Sequence, residues 1–209
     1  MVHAAYGYHP EQDVAGKEER EQLFEWILQH ASQMVAIGEV GLPYYRRQEA
    51  EEKGLVFELE PYLELLERFI TMSASLHKPI VLHAVYEDAD LVCDLLERHR
   101  VKQAHFHWFK GSKKTIQRMI SKGYHISITP DVLYEADIRQ LAAQYPIELL
   151  MVETDGPWPF DGPFEGIRTH PGMIINVIKE IAKIKHISEQ EAATALMYNT
   201  GQFYRLDIQ

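Results

Sequence analysis

Short, unbroken apolar runs alternate along the chain with longer stretches of helical periodicity. Six runs read as strands, over residues 2–8, 34–39, 79–83, 103–108, 124–129 and 147–153. They show little polar alternation, the pattern of strands covered on both faces. The spacing predicts a helix over 18–33, with Leu23, Phe24, Ile27 and Leu28 on one face. A second helical stretch spans 48–76 and breaks or restarts near Pro61; Leu63, Leu66, Phe69 and Ile70 recur along it. Further helices are predicted over 87–99, 112–121, 134–144, 173–184 and 188–197. Gly123 suits a left-handed C-cap, and Ser188 with Glu191 forms a capping box. Gly41 to Tyr45 reads as a loop, as does the Pro/Gly-rich segment from Gly156 to Gly172. No two strands are joined by a two-residue turn, so the pattern predicts βαβ units and a parallel sheet.

The strands close on chemistry. Glu39, His83 and His107 each end an apolar run, and Asp155 lies just past Leu149-Leu150-Met151-Val152. In parallel α/β folds the sites gather at the strands' C-terminal ends. Ligands at the ends of four strands favour a barrel mouth over the single switch point of a doubly wound sheet. Two imidazoles and two carboxylates suit zinc, manganese or another divalent ion. Each taken alone equally suits a hydrogen-bonded buried polar residue; four at matched positions point to a metal site.

At 209 residues the chain fits one domain, read as 1–209. The hydrophobic and charged fractions, 46% and 25%, are those of a folded globular protein rather than a disordered one. No apolar run is long enough to span a membrane, and the first residues lack a signal-peptide pattern. The lone Cys93 forms no internal disulfide, so a cytoplasmic location is expected. A net charge of −10 argues against an extended duplex-DNA face. It leaves open a small substrate or a nucleic-acid end held at a metal, because the ion supplies local positive charge.

Secondary candidates surround these four. His9, before Pro10, is a candidate for the mouth. Trp108, Trp158 and Phe160 are candidates to wall it and stack a base, or simply to pack. Lys110 and Ser112 begin the segment after His107, where helix amides meet phosphates. Arg168 and His170 lie in the loop after the last strand, where substrate contacts are common. Glu153 is expected to point outward and brace a helix or loop. His105 reads as a hydrogen-bonded interior residue, and His77, His99, His125 and His186 as surface or packing residues.

Several segments together resemble the TatD family of metal-dependent hydrolases, TatD-like deoxyribonucleases of the amidohydrolase superfamily. Gly7-Tyr8-His9-Pro10 resembles its G-x-H-P, and Ala36 to Tyr45 resembles A-I-G-E-I-G-L-D-Y-Y. Pro79 to His83 resembles P-V-I-I-H, and His107 to Ser112 the H-C-F-S-G segment. Glu153-Thr154-Asp155-Gly156-Pro157 resembles E-T-D-A-P, and Asn199 to Phe203 the closing N-x-x-x-F. The resemblance implies a TIM-like (β/α) barrel and a phosphodiesterase using a metal-activated water. Glu39, His83, His107 and Asp155 would be metal ligands, with Asp155 also the catalytic base. One or two divalent ions (Zn, Mn, Mg or Ni) would be held.

The sequence departs from the family in lacking the opening H-x-H strand, in Pro43 for Asp, in Val85 for Arg, and in Thr169-His170 for Asn-Glu. Two absent βα units at about 30 residues each come to roughly 60 residues, so the expected barrel is incomplete at its N-terminus. A start downstream of the family's is the expected cause; otherwise a second subunit covers the gap, as a homo-oligomer. Hydrolysis of an amide or lactone is the alternative reaction, and a non-catalytic remnant the alternative class.

Overall fold

A computed structural model describes residues 2–207. The chain forms two units, one running through Phe106 and one starting at His107. The first contains β1 (Ala4–Tyr6), α1 (Lys17–Gln29), β2 (Met34–Gly41), α2 (Tyr44–Glu52), α3 (Glu60–Leu76), β3 (Ile80–His83), α4 (Asp88–Arg98) and β4 (Ala104–Phe106). Its strands pair in chain order and all in parallel, with Tyr6 opposite Ile37, Gly41 opposite His83 and Leu82 opposite Phe106. Helices cover the sheet because their apolar stripes need it. Phe24 of α1 meets Phe69 of α3 with ring centroids 4.6 Å apart, above buried Ile37, Ile80 and Leu82.

Gly41 makes the β2–β3 contact possible. A Cβ there would lie 1.9 Å from the His83 carbonyl oxygen, so only glycine allows the strands this close. Leu42 N then donates to that oxygen at 3.0 Å. The close approach fixes Glu39, two residues earlier, beside the end of β3.

The second unit contains α5 (Lys113–Lys122), β5 (His125–Ile128), α6 (Ala136–Gln144), β6 (Leu150–Val152), α7 (Ile174–Lys185) and α8 (Glu189–Tyr204). β5 and β6 are parallel, with Ser127 opposite Met151. Asn199 of α8 donates its amide to Ile147 O at 2.7 Å and Leu150 O at 2.8 Å, tying α8 to the start of β6. That is the structural work of the closing N-x-x-x-F segment. Buried Ile126, Leu150, Val177, Ile181 and Leu196 form this unit's core.

Five of the six strands fall within their predicted runs, the sixth, β2, covers its run and extends beyond it, and the observed pairs are parallel. Gly123 caps α5 in the left-handed region (φ 71°), and Ser188 with Glu191 forms the capping box of α8. Several boundaries differ from expectation, among them that of α1, which ends at Gln29 rather than at 33. β2 runs on through Gly41, and α2 starts at Tyr44 inside the expected loop. The helical stretch does break near Pro61 as expected, with Pro61 in the first turn of α3. α8 continues to Tyr204, past the predicted end at 197, because buried Asn199, Gly201 and Phe203 carry its packed face onward. Among the described residues no helix is long and apolar enough to cross a membrane, and Cys93 is a buried thiol outside any disulfide.

Candidate metal centre

The first unit brings three sequence candidates together at the ends of β1, β2 and β3. His9 Nε2 lies 3.4 Å from Glu39 Oε1, and His83 Nδ1 lies 3.1 Å from the same oxygen. One ligand atom from each of His9, Glu39 and His83 falls within 4.8 Å of the others. Two imidazoles and a carboxylate gathered this closely are a donor set that suits a divalent cation. The His83 side chain is only 11% exposed, so its ring is held by protein rather than by water.

A fourth residue, Glu11, was not among the candidates. Its Oε1 lies 3.2 Å from His83 Nε2, and its two oxygens accept from Tyr45 N at 2.9 Å and Arg46 N at 3.0 Å. Burial pushes the Glu11 carboxyl upward, but the hydrogen bonds from His83, Tyr45 and Arg46 outweigh it and hold the group below its ordinary value. The first turn of α2 is anchored again by its arginines. Arg46 pairs with Asp13; Arg47 reaches Asp88 Oδ1 at 2.7 Å and Glu87 Oε1 at 3.0 Å, where α4 begins. The Asp88 contact is ionic rather than a well-angled hydrogen bond. Burial raises the Asp88 carboxyl above its ordinary value, against the pull of Arg47.

The second unit holds His107 and Asp155. His107 is buried, with Nδ1 3.5 Å from Glu153 Oε1. The same Glu153 oxygen accepts from Trp108 N at 2.8 Å. Glu153 therefore turns toward His107 while it braces the loop, which corrects the expectation that it points outward. Glu153 thus lies beside His107. Trp108 and Asp155 both take left-handed backbone conformations, φ 39° and φ 36°. Such conformations are uncommon for bulky residues and cluster at functional sites.

Trp108 is pinned at its other end by Nε1, which donates to Asp131 Oδ2 at 2.7 Å. Burial raises the Asp131 carboxyl, with hydrogen bonds from Thr129 and Trp108 opposing it. Trp158 lies edge-on to Trp108 at 5.3 Å and is 54% exposed, and its backbone amide donates to Asp155 O at 3.1 Å. Phe160 is instead buried against Phe164 and Met173.

The weaker candidates have local partners. Lys110 pairs with Glu135 at 3.2 Å. Ser112 caps α5, accepting from Thr115 N at 3.1 Å. His170 Nδ1 accepts from Gly172 N at 3.0 Å, and Arg168 is exposed on the same loop. His105 is buried on β4, while His77 and His186 are left-handed C-caps of α3 and α7.

A family model described as TatD related DNase matches residues 1–205. The chain belongs to the TatD family. It is 39% identical to an uncharacterized metal-dependent hydrolase of Haemophilus influenzae, a match covering 98% of this chain and 79% of that one. A Methanocaldococcus jannaschii metal-dependent hydrolase is 27% identical over 98% of this chain and 76% of its own. Human TATDN2, a 3'-5' RNA nuclease, is 30% identical over 99% of this chain, which corresponds to 27% of that protein. Among solved structures, the TatD homolog YJJV of Escherichia coli matches with a TM-score of 0.76 and 26% identity, covering 98% of this chain and 77% of that one. This TatD-family member is a metal-dependent hydrolase, and its parallel strands and outer helices are those of the family's TIM-like fold.

Proposed function

We propose that this TatD-family hydrolase is a phosphodiesterase acting on nucleic-acid ends or smaller nucleotide esters, with residues 1–209 working as one hydrolase domain. The observation that carries the reading is the His9–Glu39–His83 cluster in a chain matched along its length by a DNase family model. The RNA nuclease activity in the name of a relative 30% identical supports phosphodiester chemistry. A divalent cation, when bound, would supply Lewis-acid polarisation of the phosphoryl oxygen and a more acidic water. The chain's own residues do the rest. By the motif resemblance Glu39, His83, His107 and Asp155 would hold the ion, and the Asp155 carboxylate would take the proton of the attacking water. Trp108, with Trp158 beside it, offers a ring face to a base. His9 completes the donor set beside Glu39 and His83, leaving Lys110, Arg168 and His170 for the phosphate ester. A duplex gains no extended basic face from a chain of net charge −10, so ends and short single strands are the expected substrates.

The test is hydrolysis by the chelator-treated chain reloaded with manganese or zinc. The panel comprises single-stranded DNA, RNA, an aryl phosphodiester, a lactone and an amide. Phosphodiesters should be turned over fastest, and Asp155→Asn should lose about 10²–10⁴-fold in rate with the fold intact. Faster lactone or amide turnover, or an undiminished Asp155→Asn, would sink this reading.

A further inference from the structure

Glu11 has more to do than cap a helix. Its carboxylate meets three donors: the Tyr45 and Arg46 amides in the first turn of α2, and the Nε2 edge of His83. The Glu11 side chain is only 15% exposed, so these contacts are made largely out of water. The Tyr45 and Arg46 contacts, one to each oxygen, leave the carboxylate little freedom to turn. His83 is correspondingly held at both edges, by Glu11 at Nε2 and by Glu39 at Nδ1, 3.2 Å and 3.1 Å away.

The two edges are not equivalent. Nδ1 faces the oxygen that His9 also approaches, so it lies on the side where three ligand atoms converge. Nε2 faces a carboxylate seated on a helix N-terminus. The partial positive charge there favours an anion and disfavours a cation. An ion is therefore expected on the Nδ1 side, while a neutral imidazole keeps its single hydrogen on Nε2 and donates it to Glu11. Carboxylates that accept the second N–H of a ligating histidine fix its tautomer and its ring orientation.

We propose that Glu11 is the positioning residue of the metal centre, holding His83 through Nε2–H so that Nδ1 is presented to the ion beside Glu39. The proposal rests on the reading of His83 as a metal ligand. It assigns Glu11 no contact with the ion and none with substrate.

The experiment uses the full chain, chelator-treated and titrated with zinc alone. Affinity is read by competition with a chromophoric chelator. The His83 tautomer is read from long-range proton–nitrogen spectra of isotope-labelled histidine, assigned by the signals missing in His83→Gln. Glu11→Ala should weaken zinc binding by about 10–100-fold, the range for loss of such an outer carboxylate. Glu11→Gln keeps the size but cannot accept from all three donors, and should fall between. The zinc-loaded wild type should show Nε2–H with Nδ1 on the metal. A role confined to capping α2 would lower the melting temperature and leave affinity and tautomer alone; that result overturns the proposal, as does an Nε2-ligated His83. If Glu11→Ala does not fold, the wild-type tautomer still decides. If the wild type takes up no zinc, the proposed metal centre fails. The metal-free spectrum then tests Glu11 separately: an Nε2–H signal displaced in Glu11→Gln supports it, and an unmoved one refutes it.

Discussion

His125 shows how one residue couples this fold to pH. It sits half-buried at the start of β5, its ring centroid 4.8 Å from that of Phe203, and burial pushes its pKa below the ordinary value. A histidine depressed in the folded state contributes stability that is complete above its unfolded pKa, about 6.5. That contribution is lost as pH falls from there through the lower folded value. Denaturant unfolding at pH 7.5 and pH 5.5 should therefore show a drop in wild-type stability that His125→Gln reduces. An identical drop in both proteins would remove His125 from the account. At this scale two members of the His9–Glu39–His83 cluster were legible, because Glu39 and His83 each close an apolar run. Glu11 was not legible: its partners lie 34 and 72 residues away, and no local pattern marks it.

The elements were legible where burial wrote them. Strands covered on both faces must be continuously apolar, so β2, β3 and β6 stand out in the sequence. Helix caps made within a few residues, Gly123 and the Ser188–Glu191 box, were equally readable. The start of α2 was not, since the groups that accept from its first-turn amides come from the Glu11 segment rather than from its own N-cap, Pro43. β2 also depends on a glycine whose reason appears only across the sheet. Gly41→Ala would force a Cβ to within 1.9 Å of the His83 carbonyl oxygen, so β2 and β3 must part. Overpacking of this kind costs about 1–3 kcal/mol, and the parting moves Glu39 relative to His83. Chemical denaturation should show the lost stability and calorimetric titration with manganese a weaker binding. Wild-type values in both would contradict the close strand contact.

For the whole molecule, family membership supplies what strand counting alone left open: a chain that spans 79% of its H. influenzae relative carries the family's fold and metal dependence. A ligand that binds only the folded state stabilises it by mass action, about 2.7 kcal/mol at a hundred times Kd. At about 2–4 °C per kcal/mol for a chain of this size, saturating manganese or zinc should raise the melting temperature by about 5–11 °C. Excess chelator should reverse the shift. A melting temperature indifferent to both treatments would mean that the folded chain does not hold the ion.

The first turn of α2 is gripped from two sides, by Glu11 and Asp13 on one and by Glu87 and Asp88 on the other. The grip turns two backbone positions into reporters. The Tyr45 and Arg46 amides give their hydrogens to the same carboxylate that faces His83, so their exchange with heavy water is tied to how firmly that carboxylate is held. Exchange at these two amides should slow when zinc is added and quicken in Glu11→Gln, while amides of α7 keep their rates. Deuterium uptake along α2 would then follow occupancy of the centre without any substrate present.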